Sequence, residues 1–489
     1  MNAPQVLGDI LARNALRQPE AGAVTFLGKT YRHGKLARRT ERAAARLWHE
    51  WGIRAGDRVA WLGLNHVDQL TLLFALGRIG AVLVPLNFRL APPEWEAVLA
   101  SCTPRCVVHD TAWQEAAQAL AARQGVAAHA VDALIHTHAE GHAPDGAHPD
   151  APALLVYTSG TTGAPRGAVH THANLLANMA IAQQVQGLTP EDAVLTVLPL
   201  FHVGGLCLQT LPALYAGAQV HLHARFDPAA TLAAIAQLRP TLTLQVPATM
   251  KALVEHPLWG TTDLRCLRAV WAGSSTLPRA LVSAFLNRGV ALCNVYGATE
   301  TGPFSIALPP AQARSHAGSC GWPAPGVEAR LHAAQAGVGE VWLRGPNIVR
   351  RYWPDQPALD GDGWFHTGDL ASVADDGSWR IVGRAKDMII SGGENIYPAE
   401  IEHLLATHPA VAECAVVGLP HATWGEVVVA VVVTRPGCTL DEAAVAEFLG
   451  GQLARYKLPR RVVPLQALPK TALGKVQKPI LVQQLMLNR

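Results

Sequence analysis

The sequence predicts an α/β protein, with a large N-terminal domain of doubly wound sheets, a small β-barrel-like subdomain, and then a small α+β C-terminal domain. Three observations carry that expectation. A chain of 489 residues is too long for one ordinary core and implies about two to four folding units. Hydrophobic residues make up 49% and charged residues 16%, the balance of a chain that buries large sheets. Apolar strand-like runs alternate with helical periods as far as Gly302, after which short alternating strands take over.

Taken in order, residues 58–64, 67–79 and 81–86 read as strand, helix and strand, a unit that needs a parallel sheet. Residues 124–152, with histidines at 129, 136, 138, 142 and 148, break the rhythm and read as a linker or surface loop; their irregular spacing does not suit a metal site. The alternation resumes with strands at 193–198, 219–223, 241–246, 267–272 and 291–296. The intervening helices fall at about 203–216, 228–238, 247–255 and 278–287. Such sheets bind ligands beyond the carboxyl ends of their strands. Residues 339–345 and 377–383 alternate as antiparallel strands. The last segment carries a helix at 399–407, strands at 411–417 and 427–434, a helix at 441–453 and a basic tail.

Charge and composition narrow the partners. A net charge of +3 without long charged blocks argues against nucleic acid. The longest aliphatic run, 427–433, is far short of the roughly 20 residues that cross a bilayer, so no transmembrane segment is expected. No signal-like segment opens the chain, and eight cysteines without CxxC pairs read as reduced thiols in a cytoplasmic protein. A homodimer stays open at this level.

Residues 157–167, Tyr-Thr-Ser-Gly-Thr-Thr-Gly-Ala-Pro-Arg-Gly, follow an apolar strand and combine three glycines, four Ser or Thr hydroxyls and a cation. Glycines let backbone N–H groups converge on an anion, and hydroxyls add donors. The spacing is not that of a Walker loop, because Gly160 and Gly163 are three apart and no Lys follows Gly167.

Five stretches together resemble the adenylate-forming acyl-CoA synthetases: 157–167, the LFH at 200–202, VYGATETG at 295–302, WFHTGDL at 364–370 with the run 381–402, and PKTALGKVQK at 469–478. The resemblance covers essentially the whole chain. It implies an AMP-forming acid–thiol ligase that takes ATP, Mg²⁺, CoA and a carboxylic acid, releases pyrophosphate and passes the acyl group to the thiol. It assigns Thr158, Ser159, Gly160, Thr161, Thr162, Gly163 and Arg166 to the phosphates, with Arg166 standing where the family usually carries Lys. It places Glu300 and Thr161 at the metal, Thr299 at the α-phosphate, and Gly273, Ser274, Tyr296 and Gly297 around the adenine. Asp369 would take the ribose hydroxyls and Arg384 the ribose or phosphate, while Lys475 would bridge carboxylate and α-phosphate. His202 would border the acyl channel.

The same resemblance divides the chain into residues 1–383 and a mobile domain of 384–489, hinged at about 384–386. Lys386 lies in the hinge, and Gly392 with Gly393 in the turn that admits the thiol. The acyl pocket would draw on 202–205, 245–249, 271–274, 296–298 and Ser305, a mostly apolar set suited to a medium- or long-chain fatty acid or an aryl acid. Delivery to a carrier protein and a non-catalytic nucleotide-binding homologue are the alternatives.

Overall fold

The computed structural model describes residues 3–135, 141–159, 165–273, 277–335, 337–391, 394–421, 424–450, 452–471 and 474–487. Among these residues two large sheets build the N-terminal part. The nine-stranded sheet has at its centre Ala291–Tyr296, Ala269–Ala272, Leu242–Gln245, Ala193–Thr196 and Gln219–Leu222, in that spatial order and all parallel. These short apolar strands are covered on both faces, which is why they read as unbroken hydrophobic runs rather than alternating ones.

The eight-stranded sheet places Arg58–Leu62 between Val82–Pro85 and Cys106–His109. Its other half is antiparallel, with Pro152–Ser159 against Pro165–Thr171 and then Arg351–Tyr352. The helix Val67–Ile79 packs between layers with nearly every residue buried, and Gly80 ends it at φ +83°, a left-handed position that glycine occupies without strain.

A four-stranded antiparallel sheet follows, in the order Glu328–Gln335, Val338–Arg344, Phe365–Val373, Trp379–Arg384. The last hundred residues carry a five-stranded sheet in which Gly425–Thr434 pairs Val411–His421 on one side and Ile389–Ser391 and Arg461–Pro464 on the other. Two separate apolar clusters, one around Ile401, Val428 and Val445, the other around Leu419, Val429 and Leu481, give this segment its own core.

Several expectations are corrected. The stretch read as a linker at 124–152 contributes the strand Ala127–Ala130, which joins the sheet edge in register with Cys106–His109; His129 stacks on Trp51 with centroids 3.9 Å apart. Residues 136–140 of that stretch lie outside the described residues. The helix expected over 203–216 is broken into Val203–Gly205, a π-helical turn Leu206–Thr210 and Leu211–Ala216, because Asn178 and Gln186 donate to the carbonyls of Cys207 and Leu208 while the Thr210 hydroxyl donates to that of Gly205. The basic tail ends in the helix Lys478–Leu487, seated through Leu481 and Leu485.

His170, next to last in Pro165–Thr171, is fully buried and neither ring nitrogen has a hydrogen-bond partner; burial lowers its pKa to about 4. The unfolded chain takes up this proton near pH 6.5, so the folded state loses stability as pH falls from there toward 4, by about 2 kcal/mol at pH 5. His170→Leu is expected to shrink the drop in unfolding free energy between about pH 7 and pH 5, read from denaturant titrations, by that amount. An unchanged pH dependence would show that burial does not hold the His170 pKa below that of the unfolded chain.

Candidate functional site

The strand ends of the nine-stranded sheet, the small antiparallel sheet and the turn before the last helix converge on one group of charges. Asp369 and Arg384 are register partners on adjacent antiparallel strands. Arg384 Nε donates to Asp369 Oδ1 at 2.8 Å, and the Tyr296 hydroxyl, from the end of Ala291–Tyr296, donates to Oδ2 at 2.8 Å. The Thr367-Gly368-Asp369 turn is locally determined: the Asp369 N–H bonds the Thr367 hydroxyl, the Gly368 N–H bonds Glu340, and Gly368 sits at φ +69°. Burial raises the Asp369 pKa, while Arg384, Tyr296 and Lys475 pull it down.

Glu300 stands on the short turn Thr299–Thr301, just beyond Gly297. A Cβ at Gly297 would lie 1.7 Å from the Pro303 carbonyl oxygen, so only glycine lets the chain double back there. The Glu300 carbonyl accepts from the Val349 N–H at 2.8 Å, and its Oε1 accepts from the Tyr352 hydroxyl at 2.9 Å. Tyr352 is the feature that sequence reasoning missed; no motif marks it, and only strand pairing opposite Ala168 brings it here.

Lys475 reaches the same charges from a tight turn. Thr471 N–H bonds the Lys475 carbonyl at 2.7 Å, the Thr471 hydroxyl accepts from the Lys475 N–H, and Gly474 adopts φ +81°. The residue is exposed, and its ammonium lies within the fields of Arg384, Asp369 and Glu300. Desolvation first, and then the Arg384 cation, lowers its pKa, against the attraction of Asp369 and Glu300. His202 is part of this group too: burial, and then the Lys475 charge, brings its pKa to about 4, so the imidazole is neutral. Its Nδ1 accepts from the Gly204 N–H at 3.0 Å, which assigns the proton to Nε2. His202 is thus a helix-start residue that lies within the field of Lys475.

Thr158 and Arg166 face each other across the hairpin Pro152–Ser159 and Pro165–Thr171, and the Thr158 hydroxyl donates to the Arg166 carbonyl at 3.3 Å. The glycine- and threonine-rich stretch therefore joins two antiparallel strands rather than opening a helix. Gly160, Thr161, Thr162 and Gly163 lie outside the described residues, as do the Ser159 side chain, Ser274, Gly392 and Gly393. Gly273 follows Ala269–Ala272, where a Cβ would come within 2.6 Å of the Val295 carbonyl. Lys386 lies in the exposed turn Ala385–Asp387, two residues beyond Arg384.

One expected grouping does not hold. Gln245 is in register with Ala272 and Trp271 with Leu244, so Gln245 and Trp271 point to opposite faces of the sheet and cannot line one wall together. Trp271 packs on Phe304, with ring centroids 5.5 Å apart.

Among the described residues no group of three or more His, Cys, Asp or Glu is placed to hold a metal, and no helix is long and apolar enough to cross a membrane. Among known proteins, the family described as AMP-binding enzyme matches residues 11–353, and its C-terminal domain matches 400–475. The chain is 43% identical to an indoleacetate–CoA ligase of Aromatoleum aromaticum over 96% of each chain. It is 41% identical to a feruloyl-CoA synthase of an Amycolatopsis species, over 97% of this chain and 98% of that one. Its fold superposes on an O-succinylbenzoate coenzyme A synthetase of Bacillus subtilis in complex with ATP and magnesium ion at a TM-score of 0.87, with 29% identity and coverage of 98% and 99%.

Gly297→Ala tests the turn that carries Thr299 and Glu300. Overpacking of this kind costs about 1–3 kcal/mol, so a lower melting temperature with about tenfold weaker ATP binding is expected. Wild-type binding in the alanine variant would show that the turn can open without moving Glu300.

Proposed function

We propose, for a chain that belongs to the AMP-binding enzyme family and is an ATP-dependent, AMP-forming acid–CoA ligase, that Lys475, Arg384, Asp369 and Glu300 form its adenylation centre and that its acid is aromatic. The observation that carries this reading is the convergence of those four charges from stretches as far apart in sequence as residues 300 and 475.

In the first half-reaction a carboxylate oxygen attacks the α-phosphorus of ATP and pyrophosphate leaves. Two anions must approach, so the site has to supply positive charge and alignment. The Lys475 ammonium does this between the incoming carboxylate and the α-phosphate. Asp369, held by Tyr296 and Arg384, offers its carboxylate to the ribose hydroxyls, and Arg166 with the preceding glycine-rich residues grips the departing pyrophosphate. Glu300 fits a divalent cation: Tyr352 takes one oxygen, and no cationic side chain among the described residues closes an ion pair on the other. A single carboxylate completed by substrate phosphates is the usual protein share of a Mg²⁺ site, and the ion would neutralise phosphate charge there.

In the second half-reaction the CoA sulfur attacks the acyl carbonyl and AMP leaves. Residues 384–489, with their own core, would turn about the exposed segment 384–386, withdrawing Lys475 and bringing Gly392 and Gly393 to the thiol. The aromatic assignment is supported by the indoleacetate and ferulate relatives, at 43% and 41% identity across nearly the whole chain, and by the apolar, neutral character of the elements around His202.

Lys475→Ala is expected to lower ATP–pyrophosphate exchange by about 10²–10³-fold while CoA transfer from supplied acyl-AMP stays close to wild type; equal loss in both half-reactions would remove Lys475 from the adenylation step. A thioester-formation panel of indoleacetate, ferulate, benzoate, octanoate, palmitate and malonate should favour an aromatic acid by about tenfold or more in kcat/KM. A preference for octanoate or palmitate would overturn the aromatic assignment and leave the ligase intact.

A further inference from the structure

The reading of Glu300 as the metal carboxylate leaves a feature unexplained, the arrangement of Arg166 and Tyr352 beside it. Arg166 and Ala168 lie on the same face of the strand Pro165–Thr171, and Tyr352 is the register partner of Ala168 on the strand Arg351–Tyr352. Arg166 is therefore a diagonal neighbour of Tyr352, and its guanidinium carbon lies 3.9 Å from the centre of the tyrosine ring. The ring is buried, packed with Ala168 and Val349, and its hydroxyl donates to Glu300 Oε1.

We infer that Tyr352 is a positioning residue that orients the Glu300 carboxylate for the divalent cation, and that Arg166 locks the tyrosine in place by stacking on it. A carboxylate on a short turn can rotate, and a fixed donor on one oxygen limits that rotation and leaves the other oxygen for a cation. The Val349 N–H holds the Glu300 backbone from the same segment, so side chain and main chain are both anchored by residues 349–352. A planar guanidinium stacks flat on a ring while its N–H edges stay available to phosphate oxygens, which a lysine ammonium in the same place cannot do in both respects. The arginine that departs from the family's usual lysine thereby acquires a second task.

The inference rests on Glu300 being the metal carboxylate, and the test separates the two. ATP binding is measured by calorimetry with and without Mg²⁺ for the full chain, for Glu300→Gln, for Tyr352→Phe and for Arg166→Gln, alongside the Mg²⁺ concentration at half-maximal adenylation. Losing a partner of a metal ligand costs about 10–100-fold in metal affinity. Tyr352→Phe, which keeps the ring and the fold, should raise the half-saturating Mg²⁺ concentration by about tenfold or more while kcat at saturating Mg²⁺ and ATP binding without metal remain near wild type. Arg166→Gln should shift it in the same direction, with Arg166→Lys between the two. If Glu300→Gln leaves the Mg²⁺ dependence unchanged, Glu300 is not the metal carboxylate. If Glu300→Gln shifts it and Tyr352→Phe does not, or if Tyr352→Phe lowers kcat and metal-free ATP binding together, the positioning role is wrong.

Discussion

The buried carboxylate of Asp369 is the joint on which the site depends. Its two oxygens receive Tyr296 from the nine-stranded sheet and Arg384 from the strand that leads into the C-terminal segment. The nine-stranded sheet and the small antiparallel sheet are thereby tied to one residue. Truncating this buried carboxylate would remove the acceptor shared by a phenol and a guanidinium and so loosen the tie between the two sheets. The small antiparallel sheet serves the site because Phe365–Val373 and Trp379–Arg384 pair so that Asp369 faces Arg384.

Glu300 is held differently. It sits on a turn that only glycine at 297 permits, and it receives a neutral donor rather than a cation. Two carboxylates in one cleft thus have separate characters, one neutralised by arginine and one left with charge to spare. Lys475, brought from the far end of the chain, lies within the fields of both.

Much of this was legible from residues alone. Local chemistry marks the central strands of the parallel sheets, the Thr367-Gly368-Asp369 turn and the Gly474-Lys475 turn, because each is set by residues adjacent in sequence. The π-helical turn Leu206–Thr210 was not legible, since it is imposed by Asn178 and Gln186 from another helix. The strand Ala127–Ala130 was missed because alanine and histidine carry little strand preference and the sheet edge decides the matter. Tyr352 was missed for a related reason: its position follows from an antiparallel register, which no periodicity encodes. The grouping of Gln245 with Trp271 failed because sequence proximity to strand ends does not say which face a side chain takes.

The turn that presents Lys475 has a consequence for how the cleft attracts its ligand. Lys475 and Arg384 offset Asp369 and Glu300 in formal charge, and Arg166 leaves the described group only slightly positive. A group so nearly balanced would add little long-range pull of its own on a polyanion, so a nucleotide at this place would be held by close contacts more than by the field of these five side chains. Near-neutrality also spares the apo cleft the self-repulsion that a bare cluster of cations would carry.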